Sequence, residues 1–118
     1  MKILIAESDK STRATYIMTI KQAIPQAEID EVAGSRAMLA KALGRNYNLI
    51  IANETLPKRM PAAKIIRVIR EYDKKIPIFV YGEKSDGEEL LKAGGTAFYS
   101  RNSLTDISKF VKDLKNLI

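Results

Sequence analysis

Tyr47-Asn48-Leu49-Ile50-Ile51-Ala52-Asn53-Glu54 sets an uninterrupted apolar run directly against two polar residues. A strand whose apolar residues do not alternate with polar ones is covered on both faces, which points to a parallel sheet with helices above and below. Lys2-Ile3-Leu4-Ile5-Ala6 before Glu7-Ser8-Asp9 has the same form, as does Pro77-Ile78-Phe79-Val80-Tyr81 before Gly82-Glu83. The polar residues therefore gather at the carboxyl ends of the strands.

Between these runs the period changes from that of a strand to that of a helix. Ser11 to Ala23 predicts a first helix, with Ala14, Ile17, Ile20 and Ile24 on one face and Pro25 ending the pattern. Ala27 to Ala33 alternates as an edge strand does. Ser35 is expected to cap a second helix carrying Met38, Leu39 and Leu43, with Gly44 as its left-handed terminator. Tyr47 to Ala52 is then a central strand. Pro61 suits the first turn of a third helix, lined by Ile65, Val68, Ile69 and Tyr72. Pro77 to Tyr81 is the fourth strand. Ser85 with Glu88 has capping-box spacing for a short helix that holds Leu90 and Leu91 and stops at Gly94-Gly95. Thr96 to Ser100 is the fifth strand. Ser103 with Asp106 repeats the spacing ahead of a last helix whose stripe is Ile107, Phe110, Val111, Leu114 and Leu117.

Five strands alternating with five helices predict an α/β, doubly wound (βα)5 domain spanning 1–118, with a five-stranded parallel sheet of flavodoxin-like order 2-1-3-4-5. Its 118 residues, 46% of them hydrophobic, suffice for one core and no more. Cysteine and histidine are both absent, so disulfides, thiol or Ser-His nucleophiles and the usual zinc ligand sets are excluded. No run is long enough for a signal peptide's apolar region or a membrane span, and the expectation is a cytoplasmic protein with no membrane partner. The net charge of +6 is scattered, with Lys58-Arg59 and Lys74-Lys75 the only adjacent basic pairs and no interleaved aromatics. That distribution describes a solvated basic surface better than a nucleic-acid site.

Function in such sheets lies in the crevice at the strands' carboxyl ends. The candidates there are Glu7, Ser8 and Asp9; Asn53 and Glu54; Gly82 and Glu83; and Arg101 and Asn102. Lys2 to Arg13, Tyr47 to Pro57, Ile76 to Val80 and Ala93 to Arg101 together resemble the receiver domains of two-component response regulators, in order, at the right separations and over essentially the whole chain.

The resemblance implies a role for each candidate position. The two acidic residues that hold Mg²⁺ in receivers fall on Glu7 and Ser8, and the phosphoacceptor aspartate falls on Asn53. The hydroxyl residue that contacts the phosphoryl group falls on Gly82, the lysine on Arg101 with Asn102 after it, and the switch aromatic on Phe98, beside Tyr99. Met60-Pro61-Ala62 replaces the family's Met-Asp-Gly turn, with one residue inserted after Pro57.

Phosphoryl transfer to a side chain needs an anionic oxygen nucleophile and a cation to neutralise the moving group. Asn53 is a neutral amide. With Ser8 beside Glu7 the site has lost two anions that would hold Mg²⁺, so no cofactor is expected and Mg²⁺ binding should be weak or absent. Asp9 is either a rescued metal ligand with Glu7 or the cap of the first helix, and its position favours the cap. Glu54 should leave the crevice, because successive strand side chains point to opposite faces. Glu7 and Arg101 could pair across the vacated pocket, or stand apart.

The resulting expectation is a pseudo-receiver: a non-enzymatic, phosphorylation-independent domain of phosphorelay signalling that works through protein–protein association. Its docking face, by the resemblance, is the fourth helix, fifth strand and fifth helix, including Lys92, Phe98, Arg101 and Lys109, with a second copy of the chain as another candidate partner. Whether the domain stands alone or is cut from a longer chain is open. The alternatives are an unconventional phospho-switch using Glu7, Asp9 or Glu54, and a basic nucleic-acid binder.

Overall fold

The computed structural model describes residues 1–44, 46–57 and 61–118. The Met60-Pro61-Ala62 turn and the Lys58-Arg59 pair involve residues outside that set. Strands β1 (Lys2–Ala6), β2 (Glu28–Val32), β3 (Leu49–Asn53), β4 (Ile78–Gly82) and β5 (Ala97–Ser100) alternate with helices α1 (Lys10–Ala23), α2 (Ser35–Gly44), α3 (Ala62–Tyr72), α4 (Glu88–Lys92) and α5 (Leu104–Lys115). All strand pairs are parallel, in the order β2-β1-β3-β4-β5. The expected flavodoxin-like doubly wound sheet is therefore the fold.

Side-chain alternation along each central strand divides the interior into two layers. Leu4, Ala6, Ile50, Ala52, Ile78 and Val80 face Met38 of α2, Ile65, Ile66 and Ile69 of α3, and Leu90 of α4. Ile3, Ile5, Leu49, Ile51, Phe79 and Tyr81 face Ile20 and Ala23 of α1 and Phe110 and Leu114 of α5. Burial on both faces is what removed the polar alternation from these runs. β2, at the sheet edge, keeps exposed Glu28 and Glu31.

Several local expectations are corrected. α1 starts at Lys10, one residue ahead of Ser11, and Asp9 caps it as its position favoured, accepting from Thr12 N at 2.8 Å and Thr12 Oγ1 at 2.7 Å. Ala14 is exposed, and half-buried Tyr16 and Ile17 with buried Ile20 make the inward face. Ser35 lies inside α2 rather than capping it, and Gly44 remains in the helix without a positive φ. On α3, Ile66 is buried and Tyr72 is 73% exposed, because the inward stripe runs through the alanines at its start. On α5, Ile107 is 44% exposed. Ser103 Oγ accepts from Asp106 N at 3.2 Å, but the Asp106 carboxylate turns back to Ser100 N at 2.7 Å, so only half of that capping box forms.

Candidate functional site

The register that aligns Ala6 with Ala52, Asn53 with Tyr81, and Gly82 with Ser100 brings the four strand ends to one rim. Parity then divides the rim. Glu7, Asn53 and Tyr81 continue the odd-numbered rows toward α1 and α5, whereas Glu54 and Gly82 continue the even-numbered rows toward α3 and α4.

On the first side Glu7 is 2% exposed. Its Oε1 accepts from Asn53 Nδ2 at 2.9 Å and from Tyr81 OH at 2.6 Å, and its Oε2 accepts from Asp9 N at 2.9 Å. A buried carboxylate is tolerated only when donors satisfy it, and three do so here. Asn53 is fixed from its other end as well, its Oδ1 accepting from Thr55 N at 3.0 Å. Burial, with the hydrogen bond to Glu7 adding to it, pushes the Tyr81 phenol far above its ordinary range. Tyr16 stacks on the Tyr81 ring at 3.9 Å between centroids, and burial pushes its own phenol up to about 12. Arg13 Nη1 donates to the Glu7 carbonyl at 2.6 Å, and its Nε binds Glu31 at 2.8 Å.

Glu7 and Arg101 do not pair. Arg101 Nη1 stands 3.0 Å from Glu83 Oε1, both side chains partly exposed, and among the described residues no ion pair reaches Glu7. The physical reason is proximity along the rim: Glu83 directly follows β4, beside Arg101 at the end of β5, while Glu7 is enclosed by neutral donors. Asp9 is the α1 cap, and its hydrogen bonds from the Thr12 hydroxyl and amide hold its carboxyl below the usual range. Ser8 is exposed.

These residues do not fit a divalent cation. Both Glu7 oxygens already accept hydrogen bonds, the Asn53 amide presents N–H toward the carboxylate, and the Asp9 carboxylate is directed to Thr12. Among the described residues no group of three or more acidic, histidine or cysteine side chains is placed to hold a metal ion.

On the second side Glu54 lies away from the cavity beside Asn53 and Arg101, facing α3 and α4. Alternation correctly separates it from Asn53, and the even-numbered face at this height is open because residue 82 is glycine. The Glu54 carboxylate fills that opening, so that a Cβ on Gly82 would lie 1.8 Å from Glu54 Oε2. Glu54 Oε2 accepts from Lys84 N at 2.9 Å and Oε1 from Ser85 Oγ at 2.6 Å. Ser85 is thereby taken from its expected capping role, and Gly87, at φ +80°, precedes α4 instead. Asn53, Thr55, Gly82, Glu83, Lys84 and Arg101 leave between them a cavity of only about 130 Å³. Phe98 is half-buried on the α4 side, its ring lying where a Cβ on Gly87 would come within 2.2 Å of Cγ.

The sequence reading brought Glu7, Asn53, Gly82 and Arg101 to one rim, as the structure does. It missed Tyr81, Glu83 and Ser85 as partners. The usable signal for Tyr81 was that a carboxylate ending a fully apolar strand needs donors, and the neighbouring strand's last aromatic supplies one.

No family model matches the sequence, and no curated protein matches it. Solved structures match the fold closely. The chemotaxis response regulator CheY4 of Vibrio cholerae superposes with a TM-score of 0.80 at 22% identity, covering 96% of this chain and 97% of that one. The receiver domain of the sensor histidine kinase PA1611 from Pseudomonas aeruginosa, solved with magnesium coordinated in its active-site cleft, gives 0.79 at 16% identity over 98% and 97% of the two chains. A two-component response regulator of the LuxR family from Aurantimonas gives 0.82 at 15% identity over 98% and 84%. The fold is that of CheY-like response-regulator receiver domains. No described helix is long and apolar enough to cross a membrane.

Proposed function

We propose that residues 1–118 form a single atypical receiver domain of two-component signalling, one that acts by binding a protein partner and carries out no phosphoryl chemistry. The observation that carries this reading is the 2.9 Å hydrogen bond from Asn53 Nδ2 to the buried Glu7 carboxylate. If Asn53 holds the phosphoacceptor position and Glu7 one of the metal positions, the two groups that would bracket a phosphoryl transfer are instead bonded to each other. The amide nitrogen is a donor here and offers no anionic oxygen for attack.

The remaining assignments extend the same reading. Gly82 at the hydroxyl position offers nothing to contact a phosphoryl group, and Ser8 at the second acidic position is too short and uncharged to replace a carboxylate. Arg101 keeps the cationic charge of the lysine position but spends it on Glu83. A phospho-switch built on Glu7 and Asp9 is disfavoured, because both carboxylates are engaged within the domain.

The partner face in this reading is α4-β5-α5. Lys92, Phe98, Arg101 and Lys109 lie on it, and Leu91, Leu104 and Ile107 add apolar area that is 43%, 82% and 44% exposed. Lys92, Arg101 and Lys109 are each paired within the domain, with Glu88, Glu83 and Asp113, so the exposed apolar side chains are what this face offers a protein partner, and a second copy of the chain is the alternative occupant. Incubation with radiolabelled acetyl phosphate and Mg²⁺ tests the chemical half of the proposal. No label retained above that of an Asn53→Ala variant is expected, and stoichiometric label lost in that variant would overturn it.

A further inference from the structure

We propose that Glu54 is a built-in latch for the β4–α4 loop, holding by a permanent carboxylate the loop that positions α4 and Phe98. The assignment concerns how the proposed docking face is held, and in that respect it rests on the reading above.

The latch is a continuous series of contacts on the α3/α4 side of the sheet. The Glu54 carboxylate accepts from Lys84 N at 2.9 Å and Ser85 Oγ at 2.6 Å. Ser85 Oγ in turn accepts from Gly87 N at 3.1 Å, so one hydroxyl ties the carboxylate to the residue before α4. The Gly87 carbonyl accepts from Leu91 N at 2.9 Å, closing the first turn of α4. The left-handed φ of +80° at Gly87 and the lack of a side chain there let the Phe98 ring lie directly on its backbone.

Two glycines make this arrangement possible, for different reasons. Gly87 supplies a backbone conformation that L side chains rarely adopt. Gly82 supplies volume, since any side chain there would occupy the space taken by the Glu54 carboxylate. The small residue at the end of β4 and the acid at the end of β3 are thus a matched pair, and either change should release the loop. Charge-assisted hydrogen bonds are about twice as strong as neutral ones, which makes a carboxylate a firmer tether than an amide of the same shape.

The test compares the unaltered protein with Glu54→Gln, Glu54→Ala, Gly82→Ala and the Glu54→Ala/Gly82→Ala double variant, by amide NMR and hydrogen exchange. In Glu54→Ala the Lys84 amide should exchange about tenfold faster or more. Resonances of Gly87, Glu88 to Lys92 and Phe98 should move with it. Glu54→Gln should fall between, its carbonyl keeping one of the two donors. Gly82→Ala should reproduce the Glu54→Ala pattern, and the double variant should add nothing to it. Changes confined to residues 53–55 and 82–85, with Phe98 and α4 unmoved, would overturn the latch, as would a Gly82→Ala protein with Lys84 still protected. Adding Mg²⁺ and beryllofluoride to the unaltered sample keeps the two proposals apart. A response there contradicts the phosphorylation-independent reading, while the latch stands or falls on the variants.

Discussion

Replacing Asn53 by aspartate should weaken the fold, and weaken it more as pH rises. The amide that now donates to Glu7 Oε1 at 2.9 Å would become a carboxyl oxygen facing another at the same distance. Two full charges there would repel by roughly 6 kcal/mol at an effective dielectric of about 20. Keeping one proton on the pair is cheaper: it costs about 1.4 kcal/mol for each pH unit above an ordinary carboxyl value near 4, hence about 4 kcal/mol at pH 7 and about 1 at pH 5. Asn53 is half-buried, so solvent screening lowers the first figure, and a loss of about 2–4 kcal/mol at pH 7 is expected. The sign follows from proton counting. The native variant would bind more protons than its unfolded chain between the two carboxyl ranges, so its stability would be greatest at low pH and would fall as pH rises. Urea unfolding followed by far-ultraviolet circular dichroism at both pH values measures this. Asn53→Ala is the control, losing about 1.5–3 kcal/mol with no added slope between pH 5 and 7. An aspartate variant as stable as the unaltered protein at pH 7, or one whose loss matched the alanine control at both pH values, would refute the reasoning.

Tyr81→Phe removes the 2.6 Å phenol donor from a carboxylate that water barely reaches, and a loss of about 1.5–3 kcal/mol is expected; thermal unfolding within about half a kcal/mol of the unaltered protein would contradict it. A double-mutant cycle on Glu83 and Arg101 should show about 0.2–1 kcal/mol of coupling, as exposed pairs do, whereas Glu7→Gln and Arg101→Ala should be additive; coupling in the second cycle but not the first would reverse the pairing seen here. Burial raises the Tyr16, Tyr81 and Tyr99 phenols, Tyr16 to about 12. Because unfolded phenols release their protons near pH 10, stability should be full below that value and lost as pH rises through about 12. In an absorbance titration at 295 nm these three should ionise only together with loss of the helical signal, and all five tyrosines ionising in a folded protein would disprove this.

Much of the fold was legible because burial on both faces leaves a signature that few other arrangements share. The runs at Lys2 to Ala6, Tyr47 to Ala52 and Pro77 to Tyr81 have no solvated side, and their abrupt polar ends located the rim. Helix faces were less legible. Ala14 and Tyr72 fit the period but lie outside the inward stripe, since the period does not specify which arc of an apolar band meets the sheet. The site was legible by position and misread by partner. Alternation rightly sent Glu54 away from Asn53, but the empty volume above Gly82 is a property of two strands in register and is invisible along one. Ser85 has the same origin: its spacing to Glu88 matches a capping box, yet a carboxylate 31 residues away offers its hydroxyl a charged acceptor. Arg101 likewise found Glu83 rather than Glu7 because the rim brings together neighbours that sequence distance conceals.

Under the proposed reading, the Glu7–Asn53–Tyr81 hydrogen bonds close the place a phosphoryl group would enter. The most direct test is an amide NMR spectrum of the unaltered protein with and without Mg²⁺ and beryllofluoride. The account predicts unchanged resonances at Glu7, Asn53, Gly82 and Arg101. Saturable shifts at those residues, spreading to Phe98, would contradict it.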